Sequence, residues 1–137
     1  MYKYQTRIKL HETDAAGRMF FAEQLKIAHD AWEEFLLQND FPLRDLCTRY
    51  DFSLPIVHVE ADYLGELCAS DAIDVEISVQ KIGTTSFILD YRILRNATEF
   101  VGTVRTVHVT IDIKSGKKIP LPNKIKSILK SLSSPRS

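Results

Sequence analysis

The residues best placed to do chemistry lie close together near the start of the chain, in His11-Glu12-Thr13-Asp14-Ala15-Ala16-Gly17-Arg18-Met19-Phe20-Phe21. Asp14 stands three residues before Gly17, with Glu12 beside it, just ahead of an apolar helical pattern. A carboxylate outside a helix N-terminus meets unpaired backbone N–H groups and the positive end of the helix dipole. Two readings follow. Asp14 caps the loop or the helix start, as Asp commonly does; or it is a nucleophile or general base, and the same N–H groups polarise a carbonyl. Spacing alone leaves both open.

The other reactive side chains are scattered. Cys47 and Cys68 form no CxxC pair and have no His at ligand spacing, so neither a disulfide nor a zinc site is expected, and no metal. His58 sits on a strand-like run opposite Val57 and Val59, where a lone His ordinarily satisfies a hydrogen bond; His11, His29 and His108 stand out less. Thr85 and Ser86 open another strand, where hydroxyls often serve turn backbone. Lys81, Arg92 and Arg105 are cations near strand ends or on polar faces, and Lys81 and Arg92 are candidates for a phosphate.

Periodicity shows which elements would hold these groups. Tyr2, Tyr4, Ile8 and Leu10 alternate with polar residues, which predicts a first strand. Leu25, Ala28, Trp32, Phe35 and Leu36 share a helical face, widened by Ile27, Ala31 and Leu37, so this helix should be wrapped on more than one side. Residues 39–51 read as a loop, with Pro42 against continuation of the helix. Four strand-like runs follow: 57–63 and 73–79, each with one buried face; Phe87 to Ile93, after a break at 81–84; and about 100–113, with Val107, Val109, Ile111 and Ile113 on one face. Ser115-Gly116-Lys117 is a turn, and Ile125, Ile128, Leu129 and Leu132 mark a C-terminal helix. Strands grouped after one helix indicate α+β, an antiparallel sheet curled around a helix.

At 137 residues, 45% of them apolar, the chain has the size of one domain. Its 18 Lys and Arg balance 18 Asp and Glu, which gives no field to draw nucleic acid. No apolar run is long enough to cross a bilayer and no signal peptide is evident, so no membrane association and a cytoplasmic location are expected.

Three segments carry a family resemblance. Asp14-Ala15-Ala16-Gly17, between strand and helix, resembles the D-x-x-G loop of the 4-hydroxybenzoyl-CoA thioesterase family, which has the hotdog fold. His58-Val59-Glu60-Ala61-Asp62-Tyr63-Leu64 resembles that family's H-x-E-A-D-Y/F segment, and Lys81-Ile82-Gly83-Thr84-Thr85-Ser86-Phe87 its K-x-G-x-S-S-F turn. The likeness spans about residues 4–113 and is greatest to the branch acting on 1,4-dihydroxy-2-naphthoyl-CoA in phylloquinone synthesis.

The resemblance implies a hotdog thioesterase domain over 1–132 with a flexible tail at 133–137. It implies Asp14 as nucleophile or base, the backbone N–H of Phe21 as oxyanion donor, and Gly17 as the residue that lets backbone approach the substrate. Met19 and Phe20 would meet the acyl group, with His58, Lys81 and Arg92 as further substrate contacts. Thr85 and Ser86 would reach the site from a partner chain in a homodimer, which could pair again as a homotetramer. No cofactor is implied, since CoA belongs to the substrate. Two other readings stay open: an aliphatic acyl-CoA or acyl carrier protein thioester as substrate, or a non-catalytic module that binds acyl thioesters. A hotdog dehydratase pairs a His with an acid in the core helix; His29 and Asp30 are adjacent here and diverge.

Overall fold

The alternation at the N-terminus forms strand β1 (Tyr2–Arg7), shorter than its sequence pattern suggests, in a computed structural model that describes residues 1–132. The predicted tail, 133–137, lies outside the described residues. β1 stops because the next residues close a 3₁₀ turn, Leu10–Glu12. The Glu12 carboxylate reaches back to accept the Lys9 N–H at 2.7 Å, and the Glu12 N–H donates to the Lys9 carbonyl at 2.9 Å. Leu10 is thereby turned out of line with Ile8 and left 78% exposed.

Helix α1 (Glu23–Gln38) buries Ile27, Ala28, Ala31, Trp32, Phe35 and Leu36, the 3–4 spacing expected of it. Leu37 falls outside the stripe and is exposed, while polar Gln24 is inside it. The helix ends in a Schellman turn. Asp40 takes a left-handed φ of 58°, and the N–H groups of Phe41 and Asp40 return to the carbonyls of Leu36 and Leu37. The predicted loop after it holds a short helix, α2 (Arg44–Thr48), and leads to β2 (Phe52–Ser53).

Strands β3 (Ile56–Tyr63), β4 (Ala72–Ile82), β5 (Ser86–Arg95) and β6 (Glu99–Val109) join β1 in one antiparallel sheet of order β1-β4-β5-β6-β3. Residues 111–112 form β7, which pairs with β2 apart from the main sheet. Ile73, Val75, Ile77, Phe87, Leu89, Tyr91 and Ile93 face α1 and make the core with it. Helix α3 (Asn123–Leu132) closes one side of the domain on its predicted residues Ile125, Ile128, Leu129 and Leu132. The layout is the α+β, sheet-around-helix arrangement that the sequence predicts.

Three strands depart from their predicted faces, β4 because its polar Asp74 and Glu76 are buried together with Ile73, Val75 and Ile77. β3 has no buried side: Val57 is 58% exposed, and Val59 and Tyr63 are exposed too, because β3 is the sheet's edge and α1 lies over β1, β4 and β6. In β6 the residues turned to the core are Val104, Thr106 and His108 rather than Val107. A bulge opposite Ile93 and Leu94 adds Val101 to the strand, and after it the inward positions carry the polar Thr106 and His108, with Val109 buried at the strand's end. The run also ends early, at Val109, so Ile113 does not continue the face and is exposed.

Candidate active site

The Asp14 loop is built from its own backbone. The Asp14 N–H donates to the Arg18 carbonyl at 2.8 Å and the Gly17 N–H to the Asp14 carbonyl at 2.9 Å. One carboxylate oxygen, Oδ1, accepts the Ala16 N–H at 2.9 Å and, more weakly, the Arg18 N–H at 3.4 Å. The other, Oδ2, accepts from no group among the described residues. Asp14 therefore caps its loop but not helix α1, whose N-cap position, Ala22, makes no side-chain cap. Gly17 has a φ of +79°, the left-handed region that favours glycine. A Cβ there would meet no atom within 4 Å, so within this chain the demand for glycine comes from the turn.

The loop is pinned to the segment between β3 and β4 and to the 3₁₀ turn. The Met19 N–H donates to the Leu67 carbonyl at 2.7 Å and the Phe20 N–H to the Glu12 carbonyl at 2.9 Å. From there the chain enters α1, and the Glu23 N–H takes the Phe20 carbonyl at 2.9 Å. The Phe21 N–H donates to no acceptor among the described residues. It lies beside the positive end of α1, where a growing negative charge is stabilised.

Asp14, Met19, Phe20 and Phe21 line one cleft of about 370 Å³, together with Gln24 and Tyr63. The rings of Phe20 and Phe21 sit 4.7 Å apart, tilted by 49°, and are exposed, an apolar surface on the same cleft as the carboxylate. Gln24 and Tyr63 were not singled out by sequence reasoning. Gln24, 2% exposed, donates through Nε2 to the carbonyls of Asp62 and Thr103, both at 3.0 Å, and so ties α1 to β3 and β6. Tyr63 donates its hydroxyl to the Phe21 carbonyl at 2.7 Å. The one signal for Gln24 is a polar side chain on the apolar stripe; for Tyr63 it is the end of the H-x-E-A-D-Y segment.

The remaining predicted residues lie elsewhere in the chain. Arg95, at the far end of β5, donates to the carbonyl of Glu66, a residue of the cleft. Ser86 begins the same strand, which at about 3.3 Å per residue puts Thr85 and Ser86 roughly 30 Å from that end. One chain does not bring them to Asp14. His58 is exposed on β3, 3.3 Å from Glu60, and does not line the cleft. Arg92 pairs with Glu76 at 3.5 Å and lies over the Phe100 ring, whereas Lys81 is exposed, with no partner among the described residues. Among the described residues no group of His, Cys, Asp and Glu converges as a metal site, and no helix is long and apolar enough to cross a membrane.

The chain is similar to known proteins along most of its length. A family model for the thioesterase-like superfamily matches residues 8–129. A protein of Synechococcus elongatus named 1,4-dihydroxy-2-naphthoyl-CoA hydrolase is 33% identical over 129 residues, 93% of this chain and 94% of that one. One of the same name from Microcystis aeruginosa is 35% identical over 130 residues, covering 95% and 94%. The crystal structure of a 1,4-dihydroxy-2-naphthoyl-CoA thioesterase from Synechocystis superposes with a TM-score of 0.91 at 27% identity, over 98% of each chain.

Proposed function

The chain belongs to the thioesterase-like superfamily, and from that membership and the Asp14 cleft we propose that it hydrolyses 1,4-dihydroxy-2-naphthoyl-CoA to 1,4-dihydroxy-2-naphthoate and CoA. The observation that carries the chemistry is a carboxylate oxygen and a backbone N–H, both without a partner among the described residues, on one cleft. Thioester hydrolysis needs these two things: a nucleophile or base at the carbonyl carbon, and a donor for the charge that grows on oxygen.

Asp14 acts in one of two ways. Its Oδ2 attacks the carbonyl carbon, the C–S bond breaks, CoA leaves as the thiol after taking a proton, and water opens the resulting anhydride. Alternatively Oδ2 takes a proton from water, which attacks in its place. Both routes consume one water and end in carboxylate and thiol. The Phe21 N–H receives the carbonyl oxygen in either route, and the exposed rings of Phe20 and Phe21 with Met19 suit a flat aromatic acyl group. The reaction so written needs no cofactor or metal.

We place the working site between two subunits. An exposed edge strand with apolar Ile56, Val57, Val59 and Tyr63 supports a homodimer formed along β3. The partner's copies of Thr85 and Ser86 would then complete the site, and two dimers would pair as a tetramer. Lys81, exposed and without a partner among the described residues, is the better candidate for a CoA phosphate; Arg92 is already held by Glu76. The proposed setting is phylloquinone biosynthesis in the cytoplasm.

The test is thiol release from 1,4-dihydroxy-2-naphthoyl-CoA, 4-hydroxybenzoyl-CoA, a short aliphatic acyl-CoA and palmitoyl-CoA, compared by kcat/KM. A preference of about 10²-fold for the naphthoyl thioester is expected, about 2.7 kcal/mol of transition-state discrimination. Faster aliphatic turnover would remove the substrate assignment and keep the hydrolase; no turnover on any of them would remove both.

A further inference from the structure

The hydrogen bond from Tyr63 to Phe21 joins positions far apart in sequence and ends on the residue whose N–H the proposed reaction uses. Phe21 needs such a tether. Its ring is 63% exposed, so packing does little to hold it. The peptide between Phe20 and Phe21 is fixed on its carbonyl side by the Glu23 N–H, and a trans peptide points the Phe21 N–H the opposite way. The peptide that follows Phe21 has its carbonyl held by the Tyr63 hydroxyl. With both flanking peptide planes fixed, the N–H direction is set before any substrate arrives.

The anchor itself is firm. Tyr63 ends β3, and the carbonyl of its neighbour Asp62 is clamped by the buried Gln24 amide. Gln24 has room only because residue 102 is glycine: a Cβ there would sit 2.8 Å from the amide. Strand β3 is therefore tied to α1 beside the residue that steadies Phe21.

We propose that Tyr63 is a positioning residue for thioester hydrolysis, its hydroxyl aiming the Phe21 N–H at the carbonyl oxygen of the substrate. This rests on the reading of Phe21 as the oxyanion donor. Such donors work through pre-set geometry, and removing one outright costs about 10²–10³-fold in rate; loosening one costs part of that.

The experiment compares the full-length protein with Tyr63→Phe, which keeps the ring and removes only the hydroxyl. Using 1,4-dihydroxy-2-naphthoyl-CoA, kcat should fall about tenfold with KM changed by less than about twofold and the melting temperature nearly unchanged. A second readout is the infrared carbonyl band of the same thioester, ¹³C-labelled at the carbonyl and bound to Asp14→Asn. The band should lie below that of free substrate, and adding Tyr63→Phe should reverse part of the shift and broaden it. Unchanged kcat and an unchanged band in the Tyr63→Phe proteins would overturn the role of Tyr63 and leave the Phe21 assignment standing. A rise in KM with a clear loss of melting temperature would also overturn it, by showing a general structural role. A band in Asp14→Asn identical to free substrate would remove the Phe21 assignment itself, and this inference with it.

Discussion

The imidazole of His108 lies flat against the ring of Phe87, centroids 4.7 Å apart and planes 6° from parallel, inside the core beneath Trp32. Its Nδ1–H donates to the Leu54 carbonyl at 3.2 Å, which leaves Nε2 to accept the Thr106 hydroxyl at 3.0 Å. Burial pushes its pKa down to about 4, against a weaker upward pull from the Leu54 carbonyl. The unfolded chain therefore takes up a proton near pH 6.5 that the folded chain refuses until about pH 4. This contribution to stability is fully present above pH 6.5 and is lost as pH falls through that window, by about 3 kcal/mol in all. Urea unfolding at pH 8, 5.5 and 4.5 should show the decline, and His108→Gln should flatten it. A wild-type midpoint independent of pH in this range would contradict the assignment.

Asp14→Asn keeps an oxygen to accept the Ala16 N–H, so the loop should survive the change. It removes the charge that either proposed route needs. Thiol release should drop by about 10²-fold or more while the melting temperature holds. Turnover near the wild-type rate would exclude both roles for Asp14; loss of folding would show that its capping of the loop dominates.

Gly102→Ala should destabilise by about 2–3 kcal/mol, because the new Cβ displaces the Gln24 amide from two carbonyls that it satisfies. The effect is specific to that pair. In Gln24→Ala/Gly102→Ala the loss should be smaller than the sum of the single losses, as urea midpoints of the four proteins would show. Additive losses would mean that the strand backbone, and not the amide, resists the methyl group.

Val59→Lys puts a charge on the exposed edge of β3, where the single chain has space for it. The expected result is a folded monomer by circular dichroism and sedimentation velocity, with thiol release abolished. A dimer that persists would place the subunit contact elsewhere.

The parts legible in the sequence were those governed by local periodicity. The apolar stripe of α1, the alternation in β5 and the turn at Gly116 follow from side-chain spacing, and the structure repeats them; in β4 the alternation is lost, because Asp74 and Glu76 are buried along with Ile73, Val75 and Ile77. β3 misled because alternation records which residues are apolar and says nothing of what covers them; its cover lies outside the chain or is absent. β6 misled because two of its inward positions carry polar side chains, Thr106 and His108, so the apolar Val107 marks the opposite face. At the candidate site, Asp14 and Gly17 were visible as a turn-forming pair. Gln24 and Tyr63 were not, since each does its work on a backbone carbonyl 38 or more residues away, and such partners leave no trace in spacing.

The span of roughly 30 Å between Ser86 and the Asp14 end of the sheet bears on the genetics of the protein. If each site draws Asp14 from one subunit and Ser86 from the other, a lesion in either residue belongs to a different half of the same site. A hybrid of one Asp14→Asn chain and one Ser86→Ala chain then gathers both lesions in one site and leaves the other intact. Two inactive alleles would complement each other, and co-expressed subunits would regain activity that neither parent homodimer has.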